Sequence, residues 1–208
     1  MEQSLWSKVK GAVKGYLPFY LFTFLIFSCS SETETEEEFA NWLERNDAMT
    51  DQWATSGVLG KIKSYTKDPN TAGKNSDYIY IQVLETGSGT ESPLYNDTCR
   101  VAYRGRLIPS ATYTDGYVFD ETFNGSFDWR TCSVEDFCIN YSLRDGFATA
   151  VQNMHVGDRW RVCFSYELGY GSVSTGSIPA YSNLIFDIAL VDFWHPGETR
   201  PTFRGRQK

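Results

Sequence analysis

Histidine is nearly absent from this chain: His155 and His195 are the two among 208 residues, both beside turn-forming residues. A Ser-His-Asp triad or a histidine-rich metal site therefore has little to stand on. Cysteine is sparse, five in all with no C-x-x-C pair, which argues against zinc ribbons and thioredoxin-like redox chemistry. The net charge is −7 and no basic stripe runs through the chain, so nucleic acid is not an expected partner. The apolar run Leu17 to Phe27 falls well short of the ~20 residues a bilayer-spanning helix needs.

That run has a different use. Lys8, Lys10 and Lys14 precede it, and it ends at Ser28-Cys29-Ser30-Ser31 before switching to Glu32-Thr-Glu-Thr-Glu-Glu-Glu38. This is the layout of an export signal over residues 1–28. Ile26-Phe27-Ser28-Cys29 resembles a bacterial lipobox, which implies a lipid on Cys29 as the first mature residue; Ile26 and bulky Phe27 depart from the commonest pattern. A plain secretory peptide cut elsewhere is the other reading. The glutamates behind Cys29 repel one another and read as a solvated spacer, similar also to an acidic export tag. The expected location is the cell envelope, lipid-anchored, at the periplasmic or surface face of an outer membrane.

In that oxidising setting Cys132 and Cys138 bracket five residues and could pair, whereas Cys99 and Cys163 sit within predicted strands as buried thiols. The spacer, residues 29–76, also holds Phe39, Trp42, Leu43 and Met49 on one helical face between Glu36 and Gln52. Such a helix could dock on the domain or pair with a second copy as a homodimer. Ser64 to Ser76 reads as a turn-rich linker, so the globular domain is expected over 77–195, followed by a basic tail, 196–208, that frays.

Within 77–195 strands dominate. Ile79, Ile81 and Val83 alternate, as do Val101 with Tyr103, then Trp160, Val162 and Phe164, then Leu184, Phe186, Ile188 and Leu190. Phe147, Ala150, Val151 and Met154 recur at helical spacing, with Gly157 as a stop. Four or more antiparallel strands wrapped on one short helix make an α+β fold. The stretch Thr122 to Ile139 shows no period.

Val101-Ala-Tyr-Arg-Gly105, Val118-Phe-Asp-Glu-Thr122, Leu143-Arg-Asp-Gly-Phe147, Gly169-Tyr-Gly171 and Ser177-Ile-Pro179 follow one another in the order of the FKBP-type peptidyl-prolyl isomerases. The chain resembles that family over about Asp77 to Trp194. The resemblance implies a twisted antiparallel sheet around a short helix, with an aromatic pocket between them. It implies proline-containing polypeptides as partners and no cofactor. Carried over by position, it makes Tyr103, Phe119, Asp120 and Tyr170 catalytic: two aromatic walls, a carboxylate near the twisting imide, and a hydroxyl aimed at a substrate carbonyl. Leu143, Arg144, Phe147, Ile178 and Phe186 would bind substrate, as apolar wall, backbone donor, floor, rim and base. A further wall would come from Phe127 or Phe137. Phe147 stands where the family has tryptophan, and Arg144 where it has isoleucine.

Overall fold

The structure, a computed structural model, describes residues 38–203. The export signal, Cys29 and residues 204–208 lie outside the described residues. Seven antiparallel strands form one sheet: β1 (Gly60–Lys63), β2 (Tyr78–Glu85), β3 (Thr98–Arg106), β4 (Val118–Glu121), β5 (Glu135–Cys138), β6 (Arg159–Phe164) and β7 (Leu184–Trp194). Their order is β1-β2-β6-β7-β3-β4, and β5 shares the β3 edge with β4, pairing Thr98 to Val101 while β4 pairs Arg104 to Arg106. Helix α1 (Trp42–Thr55) precedes the sheet; α2 (Ile139–Ser142) and α3 (Asp145–Val151) link β5 to β6.

The alternation read from the strands sets the register of the core. Tyr103 pairs with Ile188, Ile188 with Trp160, Val162 with Phe186, and Phe164 with Leu184, so these side chains share the face that α3 covers. Gly146 in α3 lets the helix approach: a Cβ there would lie 2.4 Å from the Phe164 ring. The opposite face carries arginines, each matched to a carboxylate: Arg100 with Asp136, Arg104 with Glu121, Arg159 with Glu85, and both Arg106 and Arg161 with Asp187. Phe123, Phe127 and Trp129 cover the middle of that face over Ala102 and Ala189.

Several expectations change here. Val83 does not join the core but is 52% exposed, while Tyr80, on the other face of β2, is buried beneath Trp53 of α1. Strand β1 lies inside the stretch read as spacer and pairs along β2, so the boundary at Asp77 falls between paired strands. The tail is held as far as Phe203: Arg100 Nη1 donates to the Pro201 carbonyl at 2.7 Å, and Phe203 packs on the second cluster. Cys132 and Cys138 are free thiols, Cys132 buried in that cluster and Cys138 half-buried beside Asn140. Of the two placements open to the N-terminal helix, the structure has it docked on the domain. Its buried face is Trp42, Asn46, Thr50 and Trp53, which leaves that face no room for a second copy. Among the described residues no helix is long and apolar enough to cross a membrane.

Candidate active site

A cavity of about 180 Å3 opens between α3 and the face of the sheet that carries Tyr103 and Phe186. Tyr103, Phe119, Asp120, Leu143, Arg144, Phe147, Tyr170 and Phe186 all line it. They come from β3, β4, the α2–α3 junction, α3, the β6–β7 connection and β7, so no local segment could build it. Phe137 supplies the further wall; Phe127 lies with Phe123 and Trp129 behind the sheet.

Phe186 is the hub. Its ring centroid lies 5.0 Å from Phe147, 5.5 Å from Phe119, 5.8 Å from Phe164 and 6.2 Å from Tyr103. The Phe147 and Phe119 contacts are edge-to-face and the Phe164 contact is stacked, arrangements that aromatic quadrupoles favour. Gly105 makes the assembly possible: a Cβ there would lie 2.6 Å from both the Phe119 and Phe186 rings. The glycine two residues after Tyr103 is therefore a packing requirement of the aromatic wall.

Polar groups enter at two places. On one wall the Tyr103 hydroxyl donates to Asp120 Oδ2 at 2.6 Å and lies 3.3 Å from Glu135 Oε2. Burial, then the bond to Asp120 and the charges of Asp120 and Glu135, hold the Tyr103 phenol far above its ordinary range. It stays a neutral donor. At the mouth, the Arg144 guanidinium lies 4.7 Å over the Tyr170 ring, a cation–π contact that fixes one side of that ring. Arg144 is the N-cap of α3 with extended backbone, a position whose N–H has no intrahelical acceptor.

Ile178 is not among the lining residues. It is buried in the main core, and its backbone closes a two-bond bridge with Thr175 that tightens the turn before Pro179. Glu135, Ser142, Phe164 and Leu184 also line the cavity, and none belongs to the motifs that mark it in the sequence. Phe164 and Leu184 carried a signal, since they share the face of Phe186; Glu135 and Ser142 sat in or beside the stretch with no period.

A family model described as FKBP-type peptidyl-prolyl cis-trans isomerase matches residues 89–191. The chain is similar to the macrophage infectivity potentiator of Trypanosoma cruzi, 35% identical over 123 residues, covering 59% of this chain and 56% of that protein. It is similar also to an FKBP-type 22 kDa peptidyl-prolyl cis-trans isomerase of Escherichia coli, 30% identical over 152 residues, covering 72% of this chain and 67% of that protein. The chain thus spans little more than half the length of the first of these relatives. Among solved structures, that of FkpA from Escherichia coli aligns with a TM-score of 0.55 at 24% identity, covering 78% of this chain and 63% of that one, a likeness of fold.

Proposed function

The chain belongs to the FKBP-type peptidyl-prolyl cis-trans isomerase family, and on that premise we propose that its cavity isomerises X-Pro bonds in exported or cell-envelope polypeptides, with a holding-chaperone role toward the same clients. The observation that carries this is the aromatic assembly around Phe186, open at one end and bordered by the Tyr103–Asp120 pair.

Turning an X-Pro bond breaks amide resonance across a barrier of ~18–20 kcal/mol, which takes tens to hundreds of seconds unaided. Turnover in milliseconds needs about four to five decades, on the order of 6 kcal/mol of differential stabilisation. A planar imide separates more charge than a twisted one, so water favours the planar form. An aromatic surround that displaces water from the bound imide removes that preference, and Tyr103, Phe119, Phe147 and Phe186 form its walls. On this reading the Tyr170 hydroxyl donates to a neighbouring substrate carbonyl and the Arg144 N–H donates to another, both residues lining the cavity. Asp120, kept in place by the Tyr103 hydroxyl, acts on the imide electrostatically; no proton is transferred.

A second reading draws on Arg144, whose guanidinium covers one face of Tyr170 at the cavity mouth. On that reading the pocket binds peptides without turning them over. Protease-coupled isomerisation of short X-Pro peptides separates the two: a rate above the spontaneous one that falls with Phe119→Ala and Tyr170→Phe supports the enzyme, and a flat trace with peptide binding supports the module.

Lysines 8, 10 and 14, the apolar run to Phe27 and Cys29 support a lipid anchor that tethers the domain to the envelope membrane through the acidic spacer. Mass measurement of the mature N-terminus tests it: a diacyl- or triacyl-modified Cys29 is expected, and an unmodified N-terminus at another residue contradicts it.

A further inference from the structure

Helix α1 does more than fill a surface. Its buried face has two polar residues between Trp42 and Trp53, Asn46 with no solvent exposure and Thr50 with 5%, and they meet Asn183 of the β6–β7 connection, which has none either. A buried amide escapes its desolvation cost when it is hydrogen-bonded, and each side-chain nitrogen and oxygen of Asn46 and Asn183 has a partner. The Asn183 backbone N–H donates to Asn46 Oδ1 at 2.8 Å, and its Nδ2 donates to the Asn46 carbonyl at 2.6 Å and to Thr50 Oγ1 at 2.9 Å. Asn46 Nδ2 donates to the Trp42 carbonyl at 2.6 Å, and Trp42 Nε1 to Ser182 Oγ at 2.8 Å.

The remaining acceptor of Asn183 reaches the segment that carries Tyr170. Its Oδ1 accepts from the Tyr166 backbone N–H at 3.0 Å, and the Tyr166 carbonyl accepts from both Gly169 N–H and Gly171 N–H, each at 2.9 Å. Those two glycines flank Tyr170. The return of the loop is pinned as well: Tyr181 N–H donates to the Gly171 carbonyl at 2.9 Å. Tyr181 itself has φ of 60°, a left-handed conformation that a bulky side chain adopts only where its surroundings impose it. The next two residues, Ser182 and Asn183, are the ones α1 holds.

We infer that Asn183, clamped by Asn46 and Thr50 of α1, is a positioning residue for Tyr170: the N-terminal helix sets the angle at which that hydroxyl meets the substrate through the relay Asn46/Thr50, Asn183, Tyr166 and the Gly169–Gly171 turn. None of the relay residues before Tyr170 lines the cavity. The inference rests on the proposed isomerase reading for its catalytic consequence, but the relay itself is a property of the fold.

Two variants test it in the full chain. Thr50→Val removes, at constant shape, the hydroxyl that accepts from Asn183 Nδ2, and Asn46→Ala removes the Oδ1 that accepts from the Asn183 backbone N–H; each is made alone and with Tyr170→Phe. Either is expected to lower kcat/KM on an X-Pro peptide about fivefold or more with Tyr170 present and less than about twofold with Tyr170→Phe, because the relay acts through the hydroxyl. Equal losses in both backgrounds would mean general destabilisation and overturn the assignment. Amide hydrogen exchange supplies a readout independent of turnover: Gly169 and Gly171 are expected to exchange about tenfold faster in Thr50→Val, with β3 and β7 unchanged. Unchanged protection at those two glycines overturns the relay. A wild-type chain with no turnover refutes the isomerase reading instead, and exchange then decides the relay alone.

Discussion

The Tyr103 hydroxyl donates to Asp120 Oδ2 across 2.6 Å, joining β3 to β4 inside the cavity wall, with Glu135 Oε2 3.3 Å from the same oxygen. A hydroxyl carries one proton, so the two carboxylates depend on a single donor. Tyr103→Phe keeps the ring and removes that donor. The expected result is a loss of about 1–3 kcal/mol in stability by urea denaturation, together with a fall of about tenfold in kcat/KM as Asp120 loses its orientation. Unchanged kinetics would show that Asp120 needs no such support.

Gly105→Ala places a methyl group 2.6 Å from the Phe119 and Phe186 rings. Overpacking of this kind costs about 1–3 kcal/mol. The larger effect is expected in function, since the two rings that must shift to relieve the clash are walls of the cavity. Calorimetric binding of a proline peptide should be lost while the far-ultraviolet circular dichroism stays native.

His195 Nδ1 lies 2.8 Å from Oδ1 of Asp97, a fully buried residue whose Oδ2 accepts from the Leu94 backbone N–H. The bond to the Asp97 carboxylate, and its charge, raise the His195 imidazolium above the ordinary histidine range. A raised folded-state value means the contribution is complete below the unfolded value of about 6.5 and is lost as pH climbs through the folded one. Thermal unfolding of wild type and His195→Gln should therefore differ most near pH 6 and converge at alkaline pH. Curves separated by a constant interval would exclude the linkage.

Burial pushes the Cys99 and Cys163 thiols up to about 12. Thiolate is the reactive form, so both should resist alkylation at neutral pH. Cys138, half-buried, is expected to label first in peptide mapping of the native protein, with Cys99 and Cys163 labelling on denaturation.

Most of the sheet was legible because its strands obey a period of two: Val101 with Tyr103, and Leu184, Phe186 and Ile188, face the core as their alternation says. The cavity was legible for a different reason, the order of short motifs, since Phe186 alone has the burial of any core ring. What escaped has physical causes. Gly60–Lys63 is too short and too polar to announce itself as a strand, and Glu135–Cys138 sits at the end of a loop without period. The docking face of α1 reads Trp42, Asn46, Thr50, Trp53, and a hydrophobic period cannot find a face whose middle is held by hydrogen bonds. The resemblance implies a rim position for Ile178, whereas its side chain is buried in the core beside the Thr175 bridge.

The central claim is that this aromatic cavity speeds rotation about the imide by excluding water, with no proton in flight. Exchange NMR on an X-Pro peptide at equilibrium, in H2O and in D2O, tests it most directly. The account predicts cis–trans exchange that grows in proportion to added protein, unchanged cis and trans populations, and a solvent isotope effect of about 1, because no acid–base step contributes. Exchange no faster than in buffer, or an isotope effect well above that value, would contradict it.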